Sequence, residues 1–353
     1  MSNKSNVGNI RRYVGGLSVA LFAMLATLST YTPSQAQTAP APKAYVGLFK
    51  DNGVAVIDTG TNKVLGTIPV PAGPDSMLIT PDGKMVYVSS TGDSKISIID
   101  TATDKVTGTI EVGKGPYGLA VTPDGKHLLA GVVDTGVVDF IDLPGNTIVA
   151  QLPVDTPHNI GLSPDGLTAY VASQSKTSPS LLVLSVADHK QTASVALTAM
   201  PRSVVFSKDG KQVYFTEVGV DSVQVLDPTT NKIITQIAVG ASPHQPFFAD
   251  KYALIVSQKT NELNIIDPAT NTLKATIPVG KMPHWIATSA DGNTAYVSNE
   301  NDNSVSVVDL GTEKVTATIA VGQAPHKIVI QPAAMAGNPS ATMAATMAAT
   351  ATN

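Results

Sequence analysis

A proline stands directly before an apolar segment at Pro74, Pro116, Pro157, Pro201, Pro243, Pro283 and Pro325, at intervals of 40 to 44 residues. A second marker keeps the same period: VAVID ends at Asp58, ISIID at Asp100, VDFID at Asp142, VQVLD at Asp227, LNIID at Asp267 and VSVVD at Asp309, and the fourth copy, LLVLS, ends at Ser185 instead. Two markers sharing one register make the chain a tandem array. A unit of this length is a single supersecondary element that cannot bury its faces alone, so it must stack on neighbours.

Each unit resolves into four short strands, A to D. In the copy opening at Pro74 these are SMLIT, MVYVSS, KISIID and KVTGTIEV, and the turn PDGK at 81–84 joins the first two. Pro81 presets φ there, and Gly83 supplies the positive φ of a tight hairpin. The turn recurs as PDG at 123 and 164, KDG at 208 and ADG at 290, whereas ADK at 249 lacks the glycine and predicts a looser hairpin. Alternating apolar residues in C and D mark strands with two distinct faces. Four-stranded antiparallel units of about 40 residues read as propeller blades. The ends agree: the array opens on a B strand, AYVGLF at 44–49, and finishes on an A strand, HKIVIQP at 326–332. The predicted fold is therefore all-β, a seven-bladed β-propeller of four-stranded antiparallel blades. It is closed by one C-terminal strand joining three N-terminal strands, which removes exposed sheet edges.

The flanks differ in composition. Lys4, Arg11 and Arg12 precede an uncharged run from Val14 to Leu28, and SQA at 34–36 offers small residues at the positions a signal peptidase reads, so residues 1–36 are expected to be a secretory signal. The run is too short, and too broken by Gly15, Gly16 and Ser18, for a membrane anchor. Residues 37–43 are read as a linker, 44–332 as the propeller, and the Ala/Thr/Met-rich segment 333–353 as a disordered tail. These features imply a periplasmic or extracellular location with no membrane span after cleavage. The chain has no cysteine, which excludes disulfides, thiolate metal sites and a cysteine nucleophile. Its net charge of −4 becomes more negative once the three basic leader residues are gone, a balance that does not favour nucleic acid.

The segments AYVGLF, VYVSST, AYVASQ, VYFTEV and AYVSNE, with PDG before them and VID after, resemble the YVTN repeat of secreted and surface-layer propellers over roughly residues 44–332. In having little beyond leader, propeller and tail, the chain is similar to the periplasmic YncE type. The resemblance implies a seven-bladed ring with strand A innermost, and it identifies a fold and not an activity.

With strand A inside, the residues after the seven prolines gather at one mouth of the channel: Asp75, Tyr117, His158, Arg202, His244, His284 and His326. Closure makes His244, His284, His326 and Asp75 a contiguous arc, a candidate site for a divalent metal such as Zn or Cu, which takes nitrogen and oxygen ligands. Tyr117, His158 and Arg202 on the opposite arc are candidates to orient an acidic ligand. The competing structural role for each histidine is a hydrogen bond to a neighbouring backbone carbonyl. The B–C loops at the same mouth carry Lys50, Asp134, Lys176, Glu217, Lys259 and Glu300, and Glu217 and Glu300 are the general-base candidates if the protein is catalytic. Trp285, the only tryptophan, is expected by alternation to face blade packing. GKGPYG at 113–118 and SQSK at 173–176 imitate a dinucleotide fingerprint and a penicillin-binding motif, but both need helices and here lie among strands. The expected function is that of an exported binding protein, monomeric and non-enzymatic, holding a protein or small-molecule ligand at the channel mouth. The alternatives are a metal-binding propeller or metal-dependent enzyme using the His/Asp arc, in the style of propeller lactonases or copper-bearing propellers, and a surface-layer or cell-envelope scaffold.

Overall fold

The computed structural model describes residues 41–332; the expected leader and tail lie outside the described residues. Among the described residues, twenty-eight strands form seven four-stranded sheets. Six sheets are sequential: β4–β7 (Pro74–Glu111), β8–β11 (Pro116–Pro153), β12–β15 (Pro157–Ala196), β16–β19 (Pro201–Ala238), β20–β23 (Pro243–Pro278) and β24–β27 (Pro283–Ala320). The remaining sheet has the order β28-β1-β2-β3, with β2 at Gly53–Asp58 and β3 at Lys63–Pro69, in which β28 (Pro325–Ile330) pairs antiparallel with β1 (Lys43–Leu48), so the chain's last described strand closes its first blade. We number this composite blade 1 and the others 2 to 7 in chain order. Every A strand touches the A strand of the next blade, β4 to β8, β12, β16, β20, β24, β28 and back to β4, which places them innermost in a closed ring.

The two sequence markers have local causes. The prolines are the first residues of β4, β8, β12, β16, β20, β24 and β28, where a missing N–H and a fixed φ suit a strand's opening residue. The aspartate that ends six of the C strands caps the following turn; Asp100 Oδ1, for example, accepts the backbone N–H of Ala102 (2.9 Å) and of Thr103 (2.8 Å), and Ser185 Oγ takes that place in blade 4, accepting Asp188 N–H at 3.3 Å. In the PDG turns Asp82 Oδ1 accepts both the Thr80 hydroxyl (2.6 Å) and Lys84 N–H (3.1 Å), and Gly83 sits at φ 71°. The ADK turn departs from expectation in the opposite sense. Its closing bond runs from Ala249 N–H to Tyr252 O, three residues on, where the other blades span five, as in Thr80 to Met85. The hairpin is shorter, not looser, so no glycine at positive φ is required.

Burial lies between the blades. Seven apolar clusters each join two neighbouring blades, such as Tyr45, Val54 and Ile68 against Met77, Val86 and Val88. Trp285 packs with Val305 and with Ala44, Val46 and Ile328 across the closure. Tyrosines of the B strands add a hydrogen bond at the rim to the C–D turn of the following blade: Tyr45 to Asp104, Tyr170 to Asn231, Tyr214 to Asn271, and Tyr296 to the Thr59 carbonyl. Asp104, Asn231 and Asn271 are left-handed turn residues, a conformation that Asn and Asp tolerate best among side-chain-bearing residues.

Candidate functional site

The seven residues after the prolines lie in the strands, not on the loops, yet they form a ring, and a β-bulge explains how. In every blade strand A carries one extra residue within the three positions that follow the proline: Pro74 faces Ser90 while Ser76 faces Ser89, and a one-residue shift recurs in the six others. A bulge re-aims the side chain of the inserted region, and here it turns each residue toward its counterpart in the next blade.

The contacts run almost unbroken around the mouth. His326 Nδ1 lies 2.6 Å from Asp75 Oδ1, and the Tyr117 phenol is adjacent to the same carboxylate. The Tyr117 and His158 rings meet at 4.1 Å, and His158 Nδ1–H donates to the Arg202 carbonyl at 2.9 Å. His244 and His284 rings meet at 4.3 Å with His244 Nδ1–H donating to the His284 carbonyl, and His284 stacks on His326 at 4.1 Å and 10°. The other face of His326 stacks on Phe49 at 4.5 Å. Beneath this ring, Ser203 joins Asn159 and Gln245, and Lys327 Nζ lies 3.9 Å over the Trp285 ring.

The four histidines therefore divide into two kinds. His158 and His244 spend Nδ1 on a neighbouring backbone carbonyl. In contrast, His284 Nδ1 and His326 Nε2 are buried without a hydrogen-bond partner. Among the described residues, the group whose ligand atoms lie within 4.8 Å of one another is His284, Glu300 and His326. His244 and Asp75, the other two members of the expected arc, are engaged elsewhere, and Glu300, reached from the B–C loop of blade 7, takes their place, with Oε2 3.6 Å from His326 Nε2. Glu217 ends strand B of blade 5, where burial pushes its carboxyl up, and is in no such group.

Electrostatics follow from burial and pairing. Burial drives His244 down to about 3, helped by the positive charges of Arg202 and His158, and drives His284 well below its ordinary value. Burial also lowers His158 and Arg202. His326 goes the other way: burial opposes its charge, but the hydrogen bond to Asp75 and the nearby Glu300 carboxylate outweigh it and lift the imidazole to about 9. For Asp75 the same burial is overcome by the hydrogen bond and charge of His326, with the adjacent Tyr117 phenol, so the carboxyl falls below its usual range. Burial and the adjacent Asp75 push the Tyr117 phenol well up, and burial pulls Lys327 down to about 7.

Beside the ring is a cavity of about 440 Å³ between blades 5, 6 and 7, lined by Arg202, Gln258, Lys259, Asn261, Lys281 and Asn301 together with Ser242 and Met282. Its lining holds three cations, amides and a hydroxyl but no carboxylate; Arg202 Nη1 donates to Gln258 Oε1 at 2.9 Å. The Lys281 ammonium is shared with Asp302 at 3.8 Å. Sequence reasoning found Arg202 and Lys259 but missed Gln258, Lys281, Lys327 and Phe49. Lys327, two residues after its proline, and Phe49, at the B–C corner of blade 1, were within reach of the repeat alignment.

Comparison with known proteins agrees with this architecture. The family model described as YNCE-like beta-propeller matches residues 43–127. No curated protein matches the sequence. Among solved structures, hydrazine synthase of Kuenenia stuttgartiensis is 20% identical with a TM-score of 0.70, covering 78% of this chain and 98% of its own. A functionally unknown protein of Desulfotomaculum acetoxidans is 14% identical with a TM-score of 0.72, over 83% of this chain and 99% of its own. The dihydro-heme d1 dehydrogenase NirN, in complex with DHE, is 18% identical with a TM-score of 0.64, over 86% and 78%. At these identities the likeness is one of fold.

Proposed function

Because this chain is a YncE-like seven-bladed β-propeller, we propose that it is an exported binding protein that takes a small acidic ligand at its channel mouth without transforming it. YncE-like propellers are typically exported, and no helix among the described residues is long and apolar enough to cross a membrane. The observation that carries the reading is the cleft of Arg202, Lys259 and Lys281, whose lining has cations and neutral donors but no carboxylate. Arg202 anchors it: its guanidinium is partly buried and held in place by Gln258, so a planar carboxylate or phosphate meets a preorganised fork of donors. Lys259 and Lys281, on the loops, supply attraction at longer range and raise the rate of encounter.

The test is calorimetric titration of the exported chain with di- and tricarboxylates and phosphate esters. Saturable binding of one class, weakened about 10-fold or more in Arg202→Ala and by raised salt, is expected. Absence of binding throughout the panel, or affinity indifferent to Arg202→Ala, overturns the reading. Turnover of a bound ligand that stops in Glu217→Gln would instead favour an enzyme.

A further inference from the structure

We propose that His284, Glu300 and His326 form a binding site for one borderline divalent transition ion, with Asp75 as the outer carboxylate that orients His326. The site is separate from the acidic-ligand cleft and does not depend on that reading, although Met282 and Asn301 of the cleft flank two of its residues in sequence.

Three observations converge on it. First, the ligand atoms of these side chains lie within 4.8 Å of one another. Tetrahedral ligands at about 2.0 to 2.1 Å from Zn²⁺ are separated by roughly 3.4 Å, so modest side-chain rotations that splay the two stacked imidazoles close the group onto an ion. Second, His284 Nδ1 and His326 Nε2 are buried and lack partners, although buried polar atoms are nearly always satisfied. Both belong to this group, while the ring's other two histidines have their Nδ1 satisfied by carbonyls. Third, His326 presents an arrangement that metal-bound imidazoles use repeatedly: a carboxylate, Asp75, holds Nδ1 at 2.6 Å and leaves Nε2 facing the third candidate ligand, Glu300, at 3.6 Å. Phe49 stacks on the face of His326 opposite His284, so His326 can keep its plane while the His284 ring rotates toward the ion.

Two imidazole nitrogens and a carboxylate oxygen select borderline ions such as Zn²⁺ or Cu²⁺ over Mg²⁺ and Ca²⁺, which require more oxygen ligands. Three protein ligands leave a position open to water or to an exogenous ligand. Glu300, on a half-exposed 3-10 turn (Glu300–Asp302), gives the ion a way in from solvent.

The test is titration of chelator-treated protein with Zn²⁺ by calorimetry, together with the paramagnetic resonance spectrum of the Cu²⁺ form. One ion per chain and a spectrum with coupling to two nitrogens are expected. Glu300→Gln and His284→Ala each abolish stoichiometric binding, Asp75→Asn weakens it about 10- to 100-fold, and His127→Ala with His189→Ala, which removes the two histidines outside the ring, leaves it unchanged. Circular dichroism establishes that each variant is folded, and Glu300→Gln, in a partly exposed turn, keeps the test open if the buried variants are not. No stoichiometric Zn²⁺ uptake by the native protein, or uptake unaltered in Glu300→Gln and His284→Ala, overturns the proposal. The titration contains no acidic ligand, so its failure is distinct from failure of the binding-protein reading.

Discussion

His326 and Asp75 stand 251 residues apart in the chain and 2.6 Å apart in space, joined through Nδ1 and Oδ1, and both are buried. They belong to the A strands of blades 1 and 2, so this contact spans the junction that the composite blade creates. Removing one partner of a buried ion pair strands the other, at a cost of about 3–5 kcal/mol. Asp75→Ala and His326→Ala should each destabilise by that order, and the double variant by clearly less than their sum, as a double-mutant cycle in urea will measure.

Closure also depends on β28 as a whole. Ending the chain after Ala324 leaves the edge of β1 unpaired and withdraws Ile328 from the cluster containing Trp285. An exposed strand edge next to open apolar surface favours association. A chain ending at Ala324 should aggregate or elute as large species in size-exclusion chromatography, whereas one ending at Pro332 should behave as the intact protein does.

The rim tyrosines should differ in worth according to their acceptors. Tyr45 donates at 2.7 Å to Asp104, a carboxylate that also binds the Lys43 ammonium, whereas Tyr296 donates at 3.3 Å to the neutral Thr59 carbonyl. Bonds to charged groups contribute about 1.5–3 kcal/mol and neutral ones about 0.5–1.5. Tyr45→Phe should therefore cost more stability than Tyr296→Phe in equilibrium unfolding, and Asp104→Ala should remove most of the difference.

What could be read in the sequence was chemistry that each blade repeats locally. The proline opening strand A, the glycine of PDG and the aspartate ending strand C answer requirements within one hairpin, so the seven-fold ring and its closure followed from them. The shortened hairpin at Ala249 is also encoded, as the 40-residue interval from Pro243 to Pro283. The bulge was not legible, because an extra residue in one strand is defined only by its partner's register. For the same reason the sequence grouped Asp75 and His244 with His284 and His326, and left Glu300 among the general-base candidates although it lies beside His284 and His326. Pairing of a B–C loop residue with a histidine of the next blade crosses the blade boundary, which no repeat alignment displays.

One buried carboxylate works against the fold. Asp139 on β10 (Val137–Asp142) is fully buried; Gln151 Nε2 donates to Oδ1 at 2.8 Å and Oδ2 has no partner. Burial raises its pKa, only partly offset by Gln151. The native state thus retains a proton that the unfolded chain, with a carboxyl near 3.9, releases first. Stability attributable to this group is complete below the unfolded pKa and is lost as pH rises through the folded one. Asp139→Asn keeps the shape and removes the charge, so it should stabilise at pH 7 by an amount on the order of 1 kcal/mol, the scale set by an unsatisfied buried group. The gain should vanish near pH 3, where both side chains are neutral. Thermal unfolding of the two proteins across that range checks it, and an equal effect at both ends would mean that packing, not ionisation, governs the site.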